Sequence, residues 1–289
     1  MYPMSDSNKS MINKTCVITG ATSGIGKESS KILALKGAHV IIIGRNIKKC
    51  VSTVKTIKKK TGNTHVDYLC ADLSDLSQVR NLAKELNQKY PCIDVLINNA
   101  GAFYNPRLET VDGYEMTLAL NYLSPFLLTG LLIDSLKESE QGRIINVSSS
   151  SHSVGEINFE DLQLKENYHA IPAYAQSKLA LVLFTKELAE RLKNTNMTVN
   201  TLDPELVATN FRKNNGWLRF YVRKFVKNEL TPLEGSRTII YLATSPDVTD
   251  ITGEYFVKEK QVKSSDLSYD QKLAKQLWEV GETLTNFSF

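Results

Sequence analysis

The chain has 289 residues, 42% of them apolar and 23% charged. That is enough apolar material for a full core, and it excludes a disordered or collagen-like chain. No window approaches the ~20 apolar residues of a membrane-spanning helix, and the longest run, Phe126–Leu136, is interrupted by Thr129, Gly130 and Asp134. The net charge of +4 is unevenly held: Arg45–Lys60 carries +7 and Phe211–Asn228 carries +6, neither with an acid, so the remainder stands at −9.

The opening residues, MYPMSDSNKS, lack an apolar signal core, and Cys16, Cys50, Cys70 and Cys92 show no metal-ligand spacing. Both features predict a reducing, cytoplasmic setting and no metal site. Short β-branched runs follow at Cys16–Thr19, His39–Ile43, Val66–Cys70, Val95–Asn98, Arg143–Val147, Thr198–Leu202 and Tyr255–Val257. Helical patterns lie between most of them, at Lys27–Lys36, Ile47–Lys60, Leu76–Tyr90, Gly113–Glu138 and Ala173–Lys193, with a last one near Tyr269–Leu284. Near-continuous apolar runs such as His39–Ile43 suit strands covered on both faces. The alternation predicts an α/β fold, a doubly wound parallel sheet with helices on both faces. No repeat or composition break divides the chain. One domain over 1–289 is therefore expected, with an irregular insertion over 205–231 and a helical tail over 265–289.

The first strand runs into Thr19-Gly20-Ala21-Thr22-Ser23-Gly24-Ile25-Gly26 and then a helix. Glycines let the backbone turn sharply and come close to a pyrophosphate, and the helix N-terminus offers it unpaired N–H groups. Gly20, Ser23, Gly24, Ile25 and Gly26 are the candidate phosphate cradle. Strand two ends in Ile43-Gly44-Arg45-Asn46. An acid there would accept hydrogen bonds from the ribose 2′-hydroxyl of NAD, whereas a guanidinium grips a 2′-phosphate. Arg45 therefore predicts NADP; the plain alternative is a surface residue heading a solvated lysine-rich helix.

Tyr174 and Lys178 stand four apart on one helix face. A cation beside a phenol favours phenolate and lowers its pKa toward neutral-pH acid–base work. Two strand ends carry polar groups, Ser148-Ser149-Ser150-Ser151 and Asn98-Asn99-Ala100-Gly101, and in open α/β sheets such ends face the ligand crevice. Asn121 lies inside the apolar Leu118–Leu132, where a buried amide needs polar partners.

These motifs (TGATSGIG, Asp72-Leu73, NNAG, Asn121, NVSS, YAQSK and a Pro-containing segment after strand six) occur in this order along essentially the whole chain. Together they resemble the short-chain dehydrogenase/reductase family. INKTCVITGATSGIGKES, YAQSKLALVLFTKELAERL, TGEYF and the Trp278-containing tail resemble its retinol-dehydrogenase-like branch. The resemblance implies a Rossmann-type sheet and NADP(H)-dependent hydride transfer to or from a lipophilic alcohol, aldehyde or ketone. Tyr174 would be the general acid/base and Lys178 would bind the nicotinamide ribose. Ser149, rather than Ser148, would hydrogen-bond the substrate oxygen, and Asn121 would hold a relay water. Asp72 would contact the adenine, and Asn98, Ala100 and Gly101 the adenosine side. Leu73, Pro204 and Thr209 complete the cofactor-contacting set. A homodimer or homotetramer is implied as well.

Glu205 departs from the family pattern, which has glycine after Pro204. A side chain there is expected to crowd the nicotinamide, and it motivates a second reading, a catalytically weak dinucleotide-binding sensor or scaffold. The basic segment 211–228 interleaves aromatics with its cations. It reads as a substrate lid, a lid that also touches an anionic membrane surface, or a solvated helix. No nucleic-acid motif accompanies the charge, so no nucleic-acid partner is expected. His152 and His169 are expected on the surface or substrate side, and Trp278 packed between tail helix and body.

Overall fold

The computed structural model describes residues 10–207 and 229–289. The first half follows the sequence pattern: β1 (Thr15–Thr19), α1 (Gly24–Leu35), β2 (His39–Gly44), α2 (Ile47–Thr61), β3 (Val66–Cys70), α3 (Leu76–Lys89) and β4 (Val95–Asn98). Side chains set the helix starts. Asn46 caps α2 by accepting from Lys49 N (3.0 Å), and Asp75 caps α3 through Ser77 N and Gln78 N.

The pattern over Gly113–Glu138 predicts one long helix, and the structure breaks it. Glu115 caps α4 (Met116–Leu118), accepting from Thr117 N and Leu118 N at 2.9 and 2.7 Å. A π-helical turn (Ala119–Leu123) then carries Asn121, followed by α5 (Ser124–Leu131) and α6 (Ile133–Lys137). Pro125 has no N–H to extend the preceding turn. Such widened turns concentrate at functional positions.

The remaining elements are β5 (Arg143–Val147), α7 (Ala170–Arg191), β6 (Thr198–Asp203), α8 (Pro232–Gly235), α9 (Arg237–Thr244), β7 (Tyr255–Val257), β8 (Lys260–Val262) and α10 (Gln271–Thr285). The sheet has eight strands in the order β3-β2-β1-β4-β5-β6-β7-β8, and only β7–β8 pair antiparallel. The sequence pattern misses β8 because Lys260-Gln261-Val262 is exposed throughout and carries no apolar run.

Alternate strand residues feed two cores. Val17, Ile41 and Ile43 pack with α3, α5, α7 and α10, while Cys16, Ile18, Val40 and Ile42 pack with α1, α2 and α9. Two buried faces explain the unbroken apolar runs. The chain steps outward from β1 to β3, then restarts at β4 on the other side of β1. The connections leaving β1 and β4 therefore diverge and open a crevice at their C-terminal ends.

The tail docks as expected. Trp278 is buried, stacks on Phe184 (5.8 Å, 25°), and sits beside Leu277, whose carbonyl accepts from Tyr122 Oη (2.8 Å). Burying an indole stabilises the tail by about 3 kcal/mol. At the ends of the predicted insertion, Val207 bridges to Leu230 and Leu230 N donates to Leu206 O (2.9 Å), so the chain departs and returns at one place. Thr209 and 211–228 lie outside the described residues. Among the described residues no helix is long and apolar enough to cross a membrane.

Candidate active site

The crevice is built first from backbone. The chain leaves β1 through Gly20, whose φ of +65° is left-handed and whose added Cβ would lie 2.9 Å from Ala100 Cα. At Gly26 a Cβ would stand 2.5 Å from Asn99 Nδ2 and 2.9 Å from Gly20 O. Close approach of the β4 end thus requires both glycines. Ser23 precedes α1, but its hydroxyl makes no capping bond, so the first N–H groups of the helix keep no side-chain partner. A bare helix N-terminus behind glycines fits a pyrophosphate.

A clasp holds the two strand ends together. Thr19 Oγ1 accepts from Asn99 N and Ala100 N, both at 2.9 Å, and Asn99 Nδ2 donates to Thr19 O at 2.8 Å. Asn98, expected on the adenosine side, is outside the crevice wall. It closes β4 with its side chain turned into the core, donating to Thr129 Oγ1 (3.1 Å) and Asn146 Oδ1 (2.8 Å). Its neighbour Asn99, which sequence reasoning passed over, lines the crevice instead.

The cleft measures about 610 Å³ and runs from the Gly20–Gly26 turn past Arg45, Asp72 and Leu73, then Ala100 and Gly101, to Ser149, Tyr174, Lys178 and Pro204. Arg45 is exposed where β2 ends. Asp72 Oδ1 accepts from Ser74 N (3.0 Å) and Ser74 Oγ (2.7 Å). The far end is walled by Phe103, Leu120, Ile171 and Leu206, an apolar surround for the polar groups.

Lys178 is buried, and its Nζ donates to Val147 O at 2.9 Å, 5.6 Å from the centre of the Tyr174 ring. Burial pushes its pKa down to about 8. The expected lowering of the Tyr174 pKa is not what this arrangement gives. Burial pushes the phenol up, and a hydrogen bond with the Ser149 side chain works against that rise. Ser148 and Ser149 both line the cleft, but Ser148 Oγ donates to Lys178 O (3.1 Å) on α7, while the Ser149 side chain is the one that hydrogen-bonds Tyr174.

Asn121 does not line the cleft. Its Oδ1 accepts from Ala102 N (2.8 Å), and its Nδ2 donates to Ala102 O and to Ser177 Oγ, both at 2.9 Å. Both amide hydrogens are thus engaged by protein, and the side chain locks the segment after β4 against α7. Gly101 permits this, since a Cβ there would meet Asn121 Oδ1 at 3.3 Å and Lys178 Nζ at 3.4 Å.

Glu205 has φ +63°, which explains why glycine is the family's residue there. Its carboxylate is held by Lys258 Nζ at 3.0 Å, so the expected intrusion is a paired charge at the rim. His152 is not a surface residue. It is buried, with Nδ1 bonded to Ser149 O (2.8 Å) and Nε2 accepting from Ser265 N (3.1 Å). That pairing puts its proton on Nδ1 and makes it a strut between the Ser149 turn and the tail. His169 is exposed at the start of α7. Among the described residues no group of His, Cys, Asp and Glu could hold a metal ion.

Residues 14–217 match the family model for short chain dehydrogenase, and the chain belongs to that family of oxidoreductases, whose fold binds a nicotinamide dinucleotide. Within the family it is of the retinol-dehydrogenase-like branch. It is 42% identical over 274 residues to polyprenol dehydrogenase of Homo sapiens, covering 92% of this chain and 83% of that one. It is 40% identical over 293 residues to retinol dehydrogenase 14 of Mus musculus, covering 95% and 86%. Among solved structures, RhlG of Pseudomonas aeruginosa in an NADP active-site complex superposes with TM-score 0.69 at 25% identity, covering 89% of this chain and 97% of that one.

Proposed function

We propose that the protein is an NADP(H)-dependent oxidoreductase that interconverts a lipophilic alcohol and its aldehyde or ketone. The observation that carries this reading is the convergence of Ser149, Tyr174 and Lys178 on one end of a cleft whose other end is the Gly20–Gly26 turn. The turn and the α1 N-terminus would hold the pyrophosphate, Asp72 and Leu73 the adenine side, Arg45 the 2′-phosphate, and Lys178 the nicotinamide ribose. When bound, the dinucleotide supplies or accepts the hydride.

The chain's own residues handle the proton and the oxygen. Ser149 donates a hydrogen bond to the substrate oxygen and orients it toward Tyr174. The phenol, pushed up by burial, keeps its proton at neutral pH and delivers it from Oη to the developing alkoxide. Lys178 then faces the phenolate left behind and stabilises its charge. In oxidation the same atoms run in reverse. Asn121 and His152 fix the Ala102 and Ser149 segments around the reacting oxygen. Phe103, Leu120, Ile171 and Leu206 exclude water and favour a greasy substrate. Polyprenol and retinol, the alcohols in the relatives' names, are of that class. Segment 211–228 is read as the lid, because its flanks meet at Leu206 and Val207 on the cleft rim. Its interleaved cations and aromatics also suit an anionic membrane edge. The pairing of Glu205 with Lys258 favours this reading over a catalytically weak sensor, because the side chain is held at the rim.

Purified protein is expected to consume NADPH with lipophilic aldehydes. Tyr174→Phe should lower kcat about 1,000-fold while NADPH affinity, read by fluorescence titration, stays within about twofold of wild type. Unchanged turnover in that variant would remove Tyr174 from the chemistry.

A further inference from the structure

Asp203 closes β6 and lines the cleft, yet it is only 7% exposed. A carboxylate removed from water needs hydrogen bonds and a counter-charge. Burial pushes the Asp203 carboxyl up, and the hydrogen bonds that Oδ1 accepts from Glu205 N (2.8 Å) and that Ser150 gives the carboxylate oppose that rise and favour the charged form. Among the described residues no cation lies within ion-pair distance of it.

The groups that face Asp203 come from four directions. From α7 they are Tyr174 and Lys178, which line the same cleft wall, Lys178 Nζ being held on the carbonyl of Val147, the residue in register with Leu202 next to Asp203. From β7, whose Val257 is in register with Asp203, it is Tyr255, whose buried phenol oxygen has no hydrogen-bond partner. From the turn after β5 come Ser150 and His152. From the chain beyond β6 comes Glu205, already held by Lys258. His152 is neutral by its hydrogen bonds, and burial holds it below the usual histidine range. Lys178 is therefore the ammonium of this group and Asp203 the carboxylate that balances it.

We propose that Asp203 is a positioning residue, which ties the turn after Ser149 to the Pro204–Glu205 crossing and supplies the buried counter-charge to the Lys178 ammonium. The role in turnover rests on the function proposed above. Burial drives Lys178 toward its neutral form, and the negative charge of Asp203 opposes that drive. The same charge disfavours the Tyr174 phenolate. Removing it moves both titrations to lower pH, so the whole pH profile slides one way. A merely structural residue would lower the amplitude and leave the profile in place.

The test uses the full chain with Asp203→Asn, which keeps an acceptor for Glu205 N, and Asp203→Glu, which keeps the charge. Lysine labelled with ¹³C at Cε reports the Lys178 titration directly, its resonance identified by its loss in Lys178→Met. Asp203→Asn is expected to move the midpoint to lower pH by on the order of one unit, and Asp203→Glu to restore it. The alkaline limb of kcat/KM for NADPH-dependent reduction of decanal should move with it. An unmoved Lys178 midpoint in Asp203→Asn overturns the proposal whatever the turnover. A wild type that shows the midpoint shift between variants but reduces no aldehyde counts against the proposed function and leaves the counter-charge role standing.

Discussion

The two ends of the cleft are made from different materials. At the β1–β4 end, Gly20, Gly26 and the Thr19–Asn99 clasp form a surface of backbone and neutral amides, with close approach as its defining property. At the β5–β6 end, Lys178 and Asp203 are buried charges and Tyr174 is a phenol pushed up by burial. The first end works by shape and is insensitive to pH. The second works by charge, and its protonation states are set by how far water is excluded. One ligand can span both because the strand order reverses between β1 and β4.

The sharpest way to break the shape claim is Gly26→Ala. The new Cβ would meet Gly20 O at 2.9 Å and Ala21 Cα at 3.1 Å, both backbone atoms that cannot swing away. Dinucleotide affinity should fall on the order of a hundredfold, from overpacking worth about 1–3 kcal/mol. Gly62→Ala is the control. Its φ is left-handed, +72°, which Gly26 does not share, and nothing lies within 4 Å of its Cβ. It should lower stability by about 1 kcal/mol and leave affinity unchanged. Wild-type affinity in both variants would mean that close approach is not what the turn needs.

The charge claim predicts a pH profile. Lys178, at about 8, is ammonium below that pH and neutral above it. kcat/KM for aldehyde reduction should therefore fall above about pH 8, approaching tenfold per unit. Folding stability carries the opposite sign. The unfolded lysine, with its ordinary value of 10.5, holds a proton between about 8 and 10.5 that the folded one has released. The cost of burying the ammonium is thus fully present below about 8 and relieved across that window. Urea unfolding of wild type against Lys178→Met isolates this contribution, and a difference between them that stays flat across the window contradicts it.

Arg45 tests the border, because it is a charge standing in the shape half. It is exposed, so the grip on a 2′-phosphate proposed for it would be screened and worth about 1–1.5 kcal/mol. Arg45→Ala should weaken NADPH binding about tenfold and NADH binding less than twofold. Equal affinities of the wild type for the two dinucleotides would contradict the NADP reading.

The same division explains what was legible in the sequence. The glycine spacing, the apolar strand runs and Tyr174–Lys178 are local patterns, and local geometry follows from them. The Asn98–Asn99 distinction depends on which residue is the last to pair in β4, one step beyond what alternation in a doubly buried strand can signal. The Tyr174–Lys178 spacing does not give the direction of the Tyr174 shift, because the largest influence on the phenol is its burial, with Phe103 packed edge-on against its ring. Asp203 was invisible as a site residue, since nothing in Leu202-Asp203-Pro204 says that three strands converge around it. The partners that occupy Asn121 lie at Ala102, nineteen positions earlier, where no local spacing signals them.

Glu205 is the converse of Arg45, a charged residue in the charge half whose effect is one of shape. Its φ of +63° costs a residue with a Cβ about 1 kcal/mol relative to glycine. Its ion pair with Lys258 returns little, because Lys258 is 70% exposed and such pairs are worth about 0–1 kcal/mol. Glu205→Gly should therefore stabilise the fold by about 0.5 kcal/mol, raising Tm by roughly 1–2 °C, with the Lys178 titration unmoved. Glu205→Gln separates the two contributions: it keeps the strained backbone and deletes the charge, and should lower Tm slightly or leave it unchanged. If instead Glu205→Gln gains as much stability as Glu205→Gly, the carboxylate rather than the backbone is the liability. Glu205 would then act on Asp203 by like-charge repulsion and belong with the charges after all.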